Sequence, residues 1–150
     1  MPTKLSTTLA GVAGEYLVAA ELSRRGYVAT LTLRNTRGID ILASNTDATK
    51  SVGIQVKARQ GATADWVLSA KAEQDVAENL CYVFVRLPPG VPASFHIVPR
   101  RVVAAYVRAE HERWRATPGR RGQAHGVSGV RLFRDRDNTY KDRWDLLGLD

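Results

Sequence analysis

The chain is short of the residues that several chemistries require. Its 150 residues include one cysteine, Cys81, and that count excludes both a disulfide framework and a cysteine-ligated zinc site. Cys81 lies in the apolar run 80–86 and is expected to be a buried core thiol. Of the three histidines, His111 and His125 lack metal-ligand spacing, and His96 alternates with Phe95 and Ile97, which reads as structural. No apolar stretch approaches the length of a membrane span, and residues 1–6 show no signal-peptide core. The expectation is an intracellular, cytoplasmic protein with no membrane partner. There is no Walker loop, no nucleophile elbow, no dinucleotide fingerprint and no internal repeat.

What is present is enough apolar material for a core. Hydrophobic residues make up 44% of the chain, and 150 residues read as one domain, 1–150. The formal charge is +7, and it is uneven. Residues 1–98 carry ten basic against eight acidic side chains, whereas residues 99–143 carry twelve against five. The chain therefore reads as a domain with a basic C-terminal extension from about residue 100. Such a stretch is either an arginine-rich solvated surface or a phosphate-binding face.

Periodicity predicts a helix over 7–25, with apolar residues at Leu9, Val12, Ala13, Tyr16, Leu17, Ala20 and Leu22 and Gly26 as its C-cap. Strands are predicted over 27–33, 38–43 and 51–60, with a turn at 34–38, a polar hairpin loop at 44–50 and a short fourth strand at 66–69. A short helix over 70–79, buried strands over 80–87 and 94–98 and an amphipathic helix over 102–115 follow. Residues 117–129 read as a loop rich in Gly and Arg, 130–133 as a short strand and 140–147 as a terminal helical turn. The fold class is mixed α/β, one central sheet flanked by helices.

Polar groups inside strands carry the chemical information. Asp40 sits between Ile39 and Ile41, which are expected to share one face, while Gln55 and Lys57 alternate with Ile54, Val56 and Ala58. Residues i and i+2 of a strand share a face, so Gln55 and Lys57 project together, and Asp40 on the neighbouring strand is expected to point to the same place. A carboxylate, an amide oxygen and an ammonium there suit a divalent cation and a phosphate. Magnesium takes hard oxygen ligands and keeps waters. Asp40, the Gln55 amide oxygen and the Val56 carbonyl are candidate ligands, with Glu15 on the first helix reaching the metal directly or through water. Lys57 would position a water or stabilise charge on the phosphate. Taken singly, each of these residues reads as solvated surface, and the set is what points to a site.

Gly14-Glu15 on an opening helix, Gly38-Ile39-Asp40 and Gln55-Val56-Lys57 together resemble the PD-(D/E)xK nuclease superfamily. Restriction enzymes, archaeal-type Holliday junction resolvases and some homing endonucleases belong to it. The resemblance covers about residues 7–100 and implies a restriction-endonuclease-like αβββαβ core. It also implies a magnesium- or manganese-dependent endonuclease acting on DNA. In that pattern Asp40 matches the first metal-binding acid, Gln55 the (D/E) position, Lys57 the motif lysine and Glu15 the helix glutamate of the resolvase-like branch. The chain departs from the pattern at Gln55, which removes a negative charge from the metal site, and at Ile39, which stands where proline is usual. Some members resemble this Q-x-K form. The alternative is a nucleic-acid-binding module with a nuclease fold and little activity.

Candidate nucleic-acid contacts are Arg34 and Arg37 beside the Asp40 hairpin, Gln60 after the motif strand, Ser69 and Lys71 after Trp66, and Arg100, Arg101, Arg120 and Arg121 in the basic third. Ser69 also reads as a helix N-cap, and Trp114 and Trp144 as packing anchors. Cutting both strands of a duplex generally needs two active sites, so a homodimer or higher homo-oligomer is expected.

Overall fold

The computed structural model describes residues 3–33, 38–74 and 78–150; the expected phosphate contacts Arg34 and Arg37 lie outside those residues. Helix α1 (Thr7–Arg24) opens with Ser6 as its N-cap, whose hydroxyl accepts the Leu9 N–H at 3.2 Å. It ends where Gly26 adopts φ +87° and the Tyr27 N–H returns to the Leu22 carbonyl. The strands are β1 (Val28–Leu31), β2 (Ile41–Ser44), β3 (Ser51–Arg59), β4 (Asp65–Ser69), β5 (Leu80–Arg86), β6 (Ser94–Pro99) and β7 (Val130–Arg134), with helix α2 (Arg100–Ala116) between β6 and β7. β1, β2, β3, β5 and β6 form one mixed sheet in that order, antiparallel except for the parallel β3–β5 pair.

Strand alternation sorts the core into two layers. Val52, Ile54 and Val56 of β3 and Cys81, Val83 and Val85 of β5 pack on one face with Val18 and Leu22 of α1. Tyr82, Phe84 and Val98 pack on the other face with Val103 and Val107 of α2 and with Trp66 and Phe133. Burial of Cys81 pushes its thiol pKa up to about 11.

Several expectations are corrected. The buried stripe of α1 is Ala10, Gly14, Val18 and Leu22, while Leu9, Tyr16 and Leu17 are exposed. The helix is apolar almost all round, so periodicity alone does not choose its inner face; small residues win because they allow close approach. The helix expected over 70–79 is, among the described residues, a 3₁₀ turn, Ala70–Glu73, after which Gln74 is extended. The expected central mixed sheet flanked by helices is present, but the short fourth strand is not part of it: β4 pairs with β7 in a separate two-stranded ribbon.

The basic stretch from residue 100 is woven into this frame. α2 covers one face, and Trp144, Leu147 and Leu149 pack into the α1-side core. Many of its arginines are matched to acids: Arg113 and Arg134 to Glu110, Arg131 to Glu73, Arg136 to Asp65 and Arg143 to Asp145. His96 is structural as expected: its Nδ1 lies 2.6 Å from Asp135 Oδ2, both residues are buried, and Asp135 also accepts the Thr139 and Tyr140 N–H groups.

Candidate active site

The site begins with an irregularity at the start of β2. The register pairs Ile41 with Ile54, yet the Asp40 N–H donates to that same Ile54 carbonyl at 2.8 Å. The Asp40 carbonyl turns the other way, to the Thr32 N–H of the segment after β1, at 2.9 Å. Asp40 and Ile41 thus oppose one residue of β3, which is a β-bulge, a device that re-aims a side chain. The Thr32 hydroxyl braces it by donating to the Ile39 carbonyl at 2.5 Å.

The bulge breaks the alternation assumed from sequence. Ile39 and Ile41 do not share a face: Ile41 belongs to the α1-side core, whereas Ile39 lines a groove on the α2 side. The predicted strand over 38–43 starts only at Ile41. Asp40 turns toward α1, where it lines a cleft of about 290 Å³ with Glu15, Gly11, Thr7, Thr8 and Thr32. One of its oxygens, Oδ2, accepts the Val56 N–H at 2.7 Å. Alternation of backbone groups turns the Val56 carbonyl to that same edge of β3.

Gln55 and Lys57 project from the opposite face of β3. They line a groove of about 840 Å³ with Gly38, Tyr82, Ser69, Lys71 and Arg100, among others. Asp40 and Gln55/Lys57 therefore do not share a cavity as expected. What links them is the backbone of β3: Val56, whose N–H Asp40 accepts, lies between Gln55 and Lys57 in sequence.

Glu15 is set at the cleft by its neighbour. Gly14 is buried, and a Cβ there would lie 2.9 Å from the Ala58 Cβ and 3.4 Å from a Val56 methyl. Only glycine lets this turn of α1 lie against β3.

The other candidates divide. Ser69, Lys71 and Arg100 reach the groove with Lys57. Ser69 precedes the 3₁₀ turn without a side-chain cap bond. Gln60 is committed elsewhere: its amide accepts the Leu5 N–H at 2.6 Å and donates to the Leu5 carbonyl at 2.8 Å, tying down the segment before α1. Arg101 is exposed, 3.9 Å from Glu78, and Arg120 and Arg121 are exposed in the loop after α2. Sequence reasoning missed Tyr82, which floors the groove, and Thr32, which braces the bulge. A strand tyrosine and a threonine before a turn carry no distinguishing signal.

A divalent ion needs a fitting donor set. Among the described residues no cluster of three or more His, Cys, Asp or Glu side chains occurs. The donors that do converge are two carboxylates, Asp40 and Glu15, with threonine hydroxyls around them. These are hard oxygens of the kind magnesium or manganese takes, with waters completing the shell.

No protein-family model and no curated protein matches the chain in sequence. Solved structures do resemble it. A bacterial homing endonuclease superposes with a TM-score of 0.58 at 14% identity, covering 97% of this chain and 94% of its own. Hjc, a Holliday junction resolvase from Archaeoglobus fulgidus, gives a TM-score of 0.49 at 17% identity, covering 83% of this chain and 84% of its own. The likeness to the homing endonuclease establishes a nuclease-like fold. No helix among the described residues is long and apolar enough to cross a membrane.

Proposed function

We propose that this protein is a metal-dependent nuclease of the PD-(D/E)xK type that hydrolyses phosphodiester bonds in DNA. The observation that carries the reading is the bulge, which delivers the Asp40 carboxylate to the backbone between Gln55 and Lys57, in a cleft that also holds Glu15. Asp40 and Glu15 would hold magnesium or manganese, with the Val56 carbonyl as a further oxygen donor; Gln55, on the other face of β3, would not join them. When bound, the ion supplies positive charge and Lewis acidity at the phosphate. Lys57 donates to a phosphate oxygen as charge develops there, or orients the attacking water. The shared fold with a homing endonuclease supports this assignment, as does the cationic lining of the groove beside Lys57. A homodimer would supply the two active sites that cutting a duplex requires.

One observation favours a second reading. Gln55 is neutral and lies on the far face of β3 from the two carboxylates, which suits a DNA-binding module with little activity. Cleavage of labelled linear, nicked, single-stranded and four-way-junction DNA decides between them. Metal-dependent cleavage by the wild type that EDTA and Lys57→Ala both abolish is the expected result. Salt-dependent binding with no cleavage of any substrate refutes the enzyme and leaves the module.

A further inference from the structure

We propose that Lys71 and Arg100 form a phosphate subsite beside Lys57, holding a neighbouring backbone phosphate of the strand whose scissile phosphate Lys57 serves. The inference deepens the nuclease reading and rests on it. Its basis is the charge inventory of the α2-side groove. Lys57, Lys71 and Arg100 all line it, and among the described residues no aspartate or glutamate does. Among the described residues none of these cations is within ion-pairing distance of a carboxylate, whereas Arg101, Arg113, Arg131, Arg134, Arg136 and Arg143 all are. The fold pairs half of the basic side chains of residues 99–143 with acids, and among the described residues it gives the cations of this groove none.

Arg100 is also held in place. Its guanidinium lies 5.8 Å from the centroid of the Tyr82 ring, and Tyr82 is buried. Gly38, at φ +66°, leaves it room: a Cβ there would come within 3.3 Å of Arg100 Nη1. The Arg100 Nε is buried and has no hydrogen-bond partner among the described residues, which is costly unless a further acceptor satisfies it. Lys71 projects from the 3₁₀ turn on the same groove, beside the Ser69 hydroxyl and the Gln55 amide. Cations flanked by neutral donors, without a counter-ion, form a cradle for a phosphodiester oxygen.

The test measures binding of a fluorescein-labelled DNA duplex across a potassium chloride series in EDTA, so that it does not depend on cleavage. Wild type is compared with Lys71→Met, Arg100→Met and, as a control, Arg24→Met, whose exposed side chain is paired with Glu21 at the far end of α1. Each groove substitution is expected to flatten the slope of log K against log salt by about 0.9 and to weaken binding about fivefold at physiological salt, as loss of one phosphate contact does. The control should leave both unchanged. Lys71 is exposed on a short turn, so its substitution leaves the fold intact even if Arg100→Met does not. Groove variants that keep the wild-type slope and affinity overturn the subsite and leave the nuclease reading standing. A wild type that binds no DNA overturns both.

Discussion

Replacing glycine by alanine inside a helix ordinarily stabilises it by about 1 kcal/mol, and α1 contains two sites where that rule should give opposite results. A Cβ at Gly11 meets nothing within 4 Å, whereas one at Gly14 lies 2.9 Å from the Ala58 Cβ. Carbon atoms settle at about 3.5–4.0 Å, so Gly14→Ala must push α1 off β3 by several tenths of an ångström. Overpacking of this kind costs about 1–3 kcal/mol, which cancels or exceeds the helix gain. Gly11→Ala should therefore melt about 2–4 °C above wild type. Gly14→Ala should fall below Gly11→Ala by about 1–3 kcal/mol. Ala58→Gly removes the opposing methyl, so a double-mutant cycle between positions 14 and 58 should show favourable coupling of about 1 kcal/mol or more. Because Glu15 follows Gly14, the displaced helix should also lose cleavage activity that Ala58→Gly partly restores. Thermal melts of the single and double variants read the outcome. Equal stability of Gly11→Ala and Gly14→Ala, with no coupling to Ala58, would show that the close approach does not position the helix.

Other perturbations follow from the same structure. The hydrogen bonds from Arg136 at 2.7 and 3.0 Å hold the Asp65 carboxyl below its ordinary pKa. The folded state then binds fewer protons than the unfolded state, so this stabilisation is present above the ordinary carboxylate pKa and is lost as pH falls through the depressed value. Acid melts should show a shallower decline in Asp65→Asn than in wild type, and an identical profile would exclude the contribution. With a thiol pKa of about 11, Cys81 should react with iodoacetamide at pH 8 only when the protein unfolds, and rapid labelling of the native protein would contradict its burial. Asp135→Ala strips the buried His96 and two backbone N–H groups of their acceptor. It should cost about 3–5 kcal/mol in a urea melt, and a loss under 1 kcal/mol would mean that water replaces the carboxylate.

How much was legible depended on whether a signal was local. The order of helices and strands came through because β-branched runs and turn residues mark them within a few positions. The two central strands were placed correctly since Cys81–Val85 is apolar throughout and Val52, Ile54 and Val56 alternate with period two. The inner face of α1 did not come through: in a helix apolar on all sides only the partner strand selects Ala10 and Gly14 over Leu9 and Tyr16. The pairing of β4 with β7 spans about sixty residues of chain and leaves no local mark. Of the candidate site, Gln55 and Lys57 share a face as period two requires. Asp40 escaped that arithmetic because a bulge adds a residue, and nothing in Gly38-Ile39-Asp40 announces one.

The bulge gives Asp40 two separable roles, and one pair of substitutions separates them. Its Oδ2 accepts the Val56 N–H at 2.7 Å, where the backbone ladder between β2 and β3 opens. Its charge, with that of Glu15, is what would hold a divalent ion. Asn at position 40 keeps an oxygen for the Val56 N–H and removes the charge. Ala removes both and leaves a partly buried donor unpaired at about 1–3 kcal/mol. Asp40→Asn should therefore melt within about 0.5 kcal/mol of wild type yet lose metal-dependent cleavage, whereas Asp40→Ala should lose stability as well. A calorimetric titration with manganese should show weakened binding in both. If Asp40→Asn retained full cleavage and metal binding, the carboxylate would be a structural strut for Val56 alone, and the metal would have to be sought around Glu15 without it.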